Sequence, residues 1–149
     1  MRAIKTFEEF IKENVVKIQL PDKSRAEYLF KESEESYELL KIKIKLLGIS
    51  DKTANDLIKS CYDIIMELIR AKMLIEGYNA SGFGAHEAEV SYLRRIDFKE
   101  KEVQFADQLR FFRNGMLYYG TSLDKIYAEK VIEFTQEIRL RIKKLISKS

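Results

Sequence analysis

Residues 51–77 read DKTANDLIKSCYDIIMELIRAKMLIEG, and the spacing inside this stretch decides the fold. Ala54, Leu57, Cys61, Ile64, Leu68, Ala71 and Ile75 recur at alternating intervals of three and four, the period that gathers side chains on one face of an α-helix. Ile58, Ile65, Ile69 and Met73 form a second stripe. A helix over 51–76 is therefore predicted to be covered on two sides and to lie at the centre. Ser50 is its expected N-cap. After Gly77 the stretch GYNASGFG (77–84) is dense in glycine, asparagine and serine and reads as a loop.

Working outward, 24–47 carries Ala26, Phe30, Ser33, Tyr37, Leu40, Ile44 and Leu47 at the same alternating spacing, and Gly48 stops it. Ahead of it, 6–16 reads as a short first helix, followed by a turn at Pro21 and Asp22. Beyond the loop a shorter helix is expected over about 85–95. A fifth helix over 99–119 places Phe105, Leu109, Phe112, Met116 and Tyr119 on its core stripe, and Gly120 ends it. Thr121 and Asp124 resemble a capping box for a last helix that reaches Ile146 through Tyr127, Val131, Phe134, Ile138 and Leu145. No run shows the alternation of a strand bounded by turns. The expectation is an all-α antiparallel bundle of five to six helices on two long hairpins, a single domain over 1–149, without linker or repeat.

The composition agrees. At 149 residues, 46% hydrophobic and 34% charged, the chain can bury a real core and is not a disordered tail. Its apolar runs are too short to cross a membrane, and the N-terminus lacks the apolar stretch of a signal peptide. One cysteine, Cys61, cannot form an internal bridge, which fits a reducing compartment. A cytoplasmic protein without membrane contact is expected. The net charge of +3 is weak for a dedicated nucleic-acid binder, and the basic run Arg139, Arg141, Lys143, Lys144 and Lys148 reads more simply as a solvated helix end.

Several chemistries are excluded. A lone His86 and a lone Cys61 do not make a zinc site, and no carboxylate spacing fits an EF-hand. The glycine loop lacks a P-loop's Gly-Lys-Ser/Thr ending. Neither metal nor cofactor is called for. His86, near a helix start, is read as a local structural or capping residue in preference to a catalytic one.

The fifth helix breaks its own apolar pattern. Arg110, Asn114 and Tyr118 are spaced by four and form one surface row, with Arg113 beside it. Gly115 sits in mid-helix, where glycine costs about 1 kcal/mol relative to alanine and signals close approach of another backbone or a ligand. Packing of two copies around Gly115 is expected. A solvent-exposed polar stripe with an incidental glycine explains the same spacing. On the central helix Ser60, Asp63, Glu67 and Arg70 recur by three or four. If buried, those carboxylates need partners. Arg110 or Arg113 across the bundle would serve, as an internal salt bridge or as part of a site.

Taken in order, 62–77 (YDIIMELIRAKMLIEG), the polar loop, His86, 109–120 (LRFFRNGMLYYG) and 123–134 (LDKIYAEKVIEF) resemble the HEPN domain over roughly 50–145. The resemblance implies a dimeric helical bundle, often encoded beside a small nucleotidyltransferase. Many such domains are metal-independent ribonucleases of toxin or defence systems, and others bind nucleotides or partner proteins. The family's ribonuclease motif is an arginine, four to six residues, then a histidine, often with a polar residue just after the arginine. Arg113 and Asn114 match it. Tyr118, followed by Tyr119, stands where the histidine would be. Tyrosine, with a pKa near ~10, is a poor base at neutral pH, but it can donate a hydrogen bond to a phosphate, and an arginine can grip one bidentately. In some family members a tyrosine near this motif is modified with AMP by the partner enzyme.

The expected catalytic set is Arg113, Asn114 and Tyr118, with activity weakened by the missing histidine. The expected ligand-binding set is Arg110, Arg113, Asn114, Tyr118, Tyr119, Asp63 and Glu67. The leading expectation is a HEPN-type homodimer that binds a nucleotide or RNA phosphate, or a nucleotidyltransferase partner, in a toxin–antitoxin-like system. Two alternatives stay open: a metal-independent endoribonuclease with Tyr118 in place of the motif histidine, and a non-catalytic adaptor bundle.

Overall fold

The computed structural model describes residues 3–113 and 123–148. In chain order these form α1 (Phe7–Lys12), β1 (Val16–Ile18), α2 (Lys23–Leu47), α3 (Ala54–Glu76), β2 (Tyr78–Ala80), α4 (Ala85–Ser91), a 3₁₀ segment (Tyr92–Ile96), α5 (Glu100–Arg113) and α6 (Lys125–Ser147). The protein is an all-α helical bundle. Short connections make neighbouring long helices run antiparallel.

The two stripes of α3 explain its position. Leu57, Cys61, Ile64, Leu68 and Ile69 are all 0–1% exposed, because α2 packs on one side of α3 and α6 on another. Each such aliphatic side chain removed from water contributes about 1.5–3 kcal/mol. Burial also raises the pKa of the Cys61 thiol to about 11, against a smaller opposing effect of its contact with Thr135. Among the described residues no helix is long and apolar enough to cross a membrane.

The absence of strands expected from the sequence is corrected. β1 and β2 pair antiparallel, Val16 opposite Ala80 and Ile18 opposite Tyr78. Three residues are too few to display alternation, and the pairing joins two segments that are distant in sequence. Asn14, with φ 62°, turns the chain out of α1, which ends that helix at Lys12 and puts Val16 in the strand. Gly77 then makes the junction possible. It caps α3 at φ +87°, and a Cβ there would lie 2.5 Å from the Gln19 carbonyl oxygen. Gln19 N–H donates to the Gly77 carbonyl at 2.8 Å, and Asp22 N–H to that of Leu74 at 2.9 Å.

Other boundaries move by a turn or less. Ser50 and Thr53 build a turn in which the Ser50 N–H donates to Thr53 Oγ1 at 3.0 Å and Thr53 Oγ1 donates to the Gly48 carbonyl at 2.9 Å, so Thr53 and not Ser50 stands at the N-cap of α3. The short fourth helix tightens into the 3₁₀ segment after Ser91. Asp124 itself caps α6, accepting from the Tyr127 N–H at 2.9 Å. The end of the fifth helix, Gly115 and Thr121 lie outside the described residues.

Candidate functional site

On one side of α3 the polar positions Asp63, Glu67 and Arg70 collect. Asp63, Glu67 and Arg70 line a cleft of about 570 Å³, together with Ser36 from α2, His86 from α4 and Arg113 from α5. Tyr62 lies beneath them, and burial above all raises the pKa of its phenol, so the phenol stays protonated.

Two arginine–carboxylate pairs shape this cleft. Arg70 donates through Nε to Glu89 Oε2 at 2.6 Å and through Nη2 to Oε1 at 3.1 Å. Glu89 projects from α4 and its side chain is 3% exposed. Its Oε1 also lies 3.2 Å from His86 Nδ1. Burial opposes ionisation of Glu89, yet the hydrogen bonds from His86 and Arg70 prevail and hold its pKa below the ordinary carboxylate value. The second pair joins Arg113 Nε to Asp63 Oδ1 at 3.4 Å, with both side chains well exposed. Such a pair is worth only about 0–1 kcal/mol.

Glu67 makes no ion pair among the described residues. Burial raises its pKa, the nearby Glu32 and Asp63 raise it further, and Arg70 opposes them. The cleft is thus of mixed charge, with Asp63 and Glu67 facing Arg70, Arg113 and an imidazole. Among the described residues no group of three or more His, Cys, Asp or Glu is placed to hold a metal ion.

Of the residues singled out in the sequence, Arg113, Asp63 and Glu67 come together here. Arg110 does not. It is mostly buried, donates to Asp107 Oδ1 at 2.8 Å, approaches Glu87 at 3.5 Å and stacks 4.6 Å over the Phe111 ring. Asn114, Tyr118 and Tyr119 lie outside the described residues, directly after Arg113. The residues that sequence reasoning passed over are His86 as a cleft residue and Glu89 altogether. The signal was the i, i+3 spacing of His86 and Glu89, but the arginine that completes the group lies on another helix, 19 positions earlier. The local bond to Glu89 agrees with a structural role for His86, and the same ring also lines the cleft.

Compared with family models, curated proteins and solved structures, the chain matches none.

Proposed function

We propose that the protein is a HEPN-like homodimer whose cleft takes the phosphate of a nucleotide or of RNA, or docks a nucleotidyltransferase partner, within a toxin–antitoxin-like system. One observation carries the reading. Arg113, the arginine of the motif-like segment, lines the same cleft as Arg70 and His86, and among the described residues its ion pair is one 3.4 Å contact to an exposed Asp63. A phosphate offers that guanidinium two strong acceptors in place of one weak one, so little is lost when Arg113 turns to a ligand. Asp63 and Glu67 repel further negative charge, which favours one phosphate beside Arg113 over a long polyanionic track.

The dimer is supported separately. Its expected face around Gly115 lies outside the described residues, but α2 carries Leu39, Ile42 and Leu46 on one outward stripe, each more than half exposed. Glu35 and Glu38 precede the first residue of that stripe, Leu39, and Lys41 and Lys45 follow it. Two copies of α2 laid antiparallel would set acids against lysines along a shared apolar seam.

Fluorescence anisotropy with a labelled nucleotide and a short labelled RNA tests the reading. Arg113→Ala is expected to lower affinity by about 1.5–3 kcal/mol, the worth of a hydrogen bond to a charged group, with an unchanged melting temperature. Unchanged affinity with a lowered melting temperature would make Arg113 a purely internal salt-bridge partner and overturn the proposal.

A further inference from the structure

We propose that the outer edge of β1 is a docking surface for a second copy of this chain, the two edges pairing antiparallel about Gln19.

The bonds between β1 and β2 decide which main-chain groups are free. Gln19 N–H donates to the Gly77 carbonyl and Ser81 N–H to that of Val15, with Lys17 opposite Asn79 between them. In an antiparallel pair, residues that exchange such bonds alternate with residues whose N–H and C=O point the other way. Val15, Lys17 and Gln19 therefore turn theirs toward β2. Val16 and Ile18 turn theirs to the outer edge. Leu20 continues the pattern, because Pro21 after it holds its backbone extended. Among the described residues no backbone bond reaches Ile18 or Leu20.

Exposure then separates the outward residues. Val16 is 1% exposed, so the edge is shut there, whereas Ile18 is 70% and Leu20 87% exposed. Two large apolar side chains on one strand face, beside unpaired main-chain groups, make the kind of edge that adds a strand. Lys17, the charge within β1, lies on the opposite face and does not guard it.

The register identifies the occupant. Pairing two copies about Ile18 would need the shut edge at Val16. Pairing about Leu20 would need Asp22, whose N–H already donates to Leu74. Pairing about Gln19 needs neither. It sets Ile18 of each copy opposite Leu20 of the other, and each such pair exchanges both main-chain bonds. On one face the exposed isoleucines and leucines close into a single apolar cluster. On the other, Gln19 meets Gln19, and Lys17 falls opposite Pro21, so no like charges meet. Nothing in the edge selects a foreign strand by charge, whereas it complements itself position by position. So short a contact is smaller than a stable interface of about 1,200 Å², and it is weak. It lies on a different element from the apolar stripe of α2, so the two faces together join dimers into larger assemblies only as concentration rises.

Cross-linking of the full chain tests the register. The two copies of residue 19 face each other as a non-hydrogen-bonded pair with Cα atoms about 4.5 Å apart, within disulfide range. Gln19→Cys, held with oxidised glutathione at rising protein concentration, should give a disulfide-linked dimer, while Cys61 is fully buried and stays out of it. Lys17→Cys is the control, because its two copies stand roughly 13 Å apart along the strands at about 3.3 Å per residue. It should stay unlinked. Ile18→Pro removes an outward N–H and leaves the bonds of Lys17 and Gln19 to β2 in place. Added to Gln19→Cys, it should cut the linked fraction about tenfold with the melting temperature kept, and Leu20→Lys should do the same. Equal linking of Gln19→Cys and Lys17→Cys, or no linking of Gln19→Cys, would overturn the proposal. The link should also survive Leu39→Lys with Ile42→Lys, and its loss there would overturn an edge that pairs independently of α2. None of these outcomes bears on the cleft.

Discussion

Arg70 meets Glu89 through two contacts of 2.6 and 3.1 Å with the carboxylate buried, whereas Arg113 meets Asp63 through one contact of 3.4 Å with both groups in water. Both arginines line the same cleft and the two pairs use the same chemistry, yet their energetic roles are opposite. In the first, the carboxylate is shut away from water and Arg70 supplies two of the bonds, beside the one from His86, that compensate its lost hydration, so removing the arginine leaves a buried charge short of partners. In the second, water screens both groups and replaces either at little cost. A tight buried pair belongs to the scaffold; a loose exposed one can be exchanged for a ligand. Arg70 and Arg113 are separated by that difference more than by position.

The contrast can be broken most directly at its buried end. Arg70→Ala is expected to lower stability by about 3–5 kcal/mol, because Glu89 is left buried without its strongest partner. A urea titration measures this, and a loss below about 1 kcal/mol would show that water reaches the pair. Acid should trace the same contribution. The pKa of Glu89 is lower in the folded chain, so its contribution is complete above the unfolded-state value and is lost as pH falls through the lower folded one. The stability gap between wild type and Glu89→Gln should therefore shrink as titrations move from about pH 7 to about pH 3. Leu68→Ala, in a 0% exposed position of the same helix, supplies an uncharged yardstick of about 2–5 kcal/mol. If it costs less than Arg70→Ala, the charged pair outweighs apolar packing at α3.

At the exposed end, Arg113→Ala should change stability by less than about 1 kcal/mol, and 0.5 M salt should erase most of even that. The smallest effect has the opposite sign. Glu67 has a raised folded pKa, so its contribution is complete below the unfolded-state pKa and declines as pH rises through the folded one. At neutral pH its charge is a net cost. Glu67→Gln should then raise stability by roughly 0.5 kcal/mol or less at pH 7 and leave it unchanged near pH 3. Separately, light scattering across concentrations should report a dimer, and Leu39→Lys with Ile42→Lys should leave monomer if α2 forms the seam. A strictly monomeric wild type at tens of micromolar would remove the dimer from the proposal.

Much of the helical frame was legible residue by residue. Leu57, Cys61, Ile64 and Leu68 were placed on a covered stripe of the central helix, and Gly48 and Gly77 at helix ends, where the structure has them. The site was legible only in part. Arg113, Asp63 and Glu67 share a cleft as their helix positions suggested, but Arg110, one turn earlier, is drawn inward by Asp107 and Glu87. Spacing predicts which side chains share a row, and it cannot say which row a neighbouring acid will claim. His86 was read through its immediate neighbours, and those account for only one of its surroundings.

By itself the sequence determined the long helices, their covered faces and their stops, because these follow from a period of 3.6 and from capping chemistry within a turn of each position. Only the tertiary structure decided that β1 reaches β2, that Glu89 closes on Arg70, and that His86 looks into the cleft beside Arg113. The physical reason is the range of the information. With 27 basic and 24 acidic residues, the chain allows far more ion pairs than it makes. Charge attraction alone has little preference among them in water. The choice is made when apolar faces dock, since docking decides which charges lose their water and must find a partner.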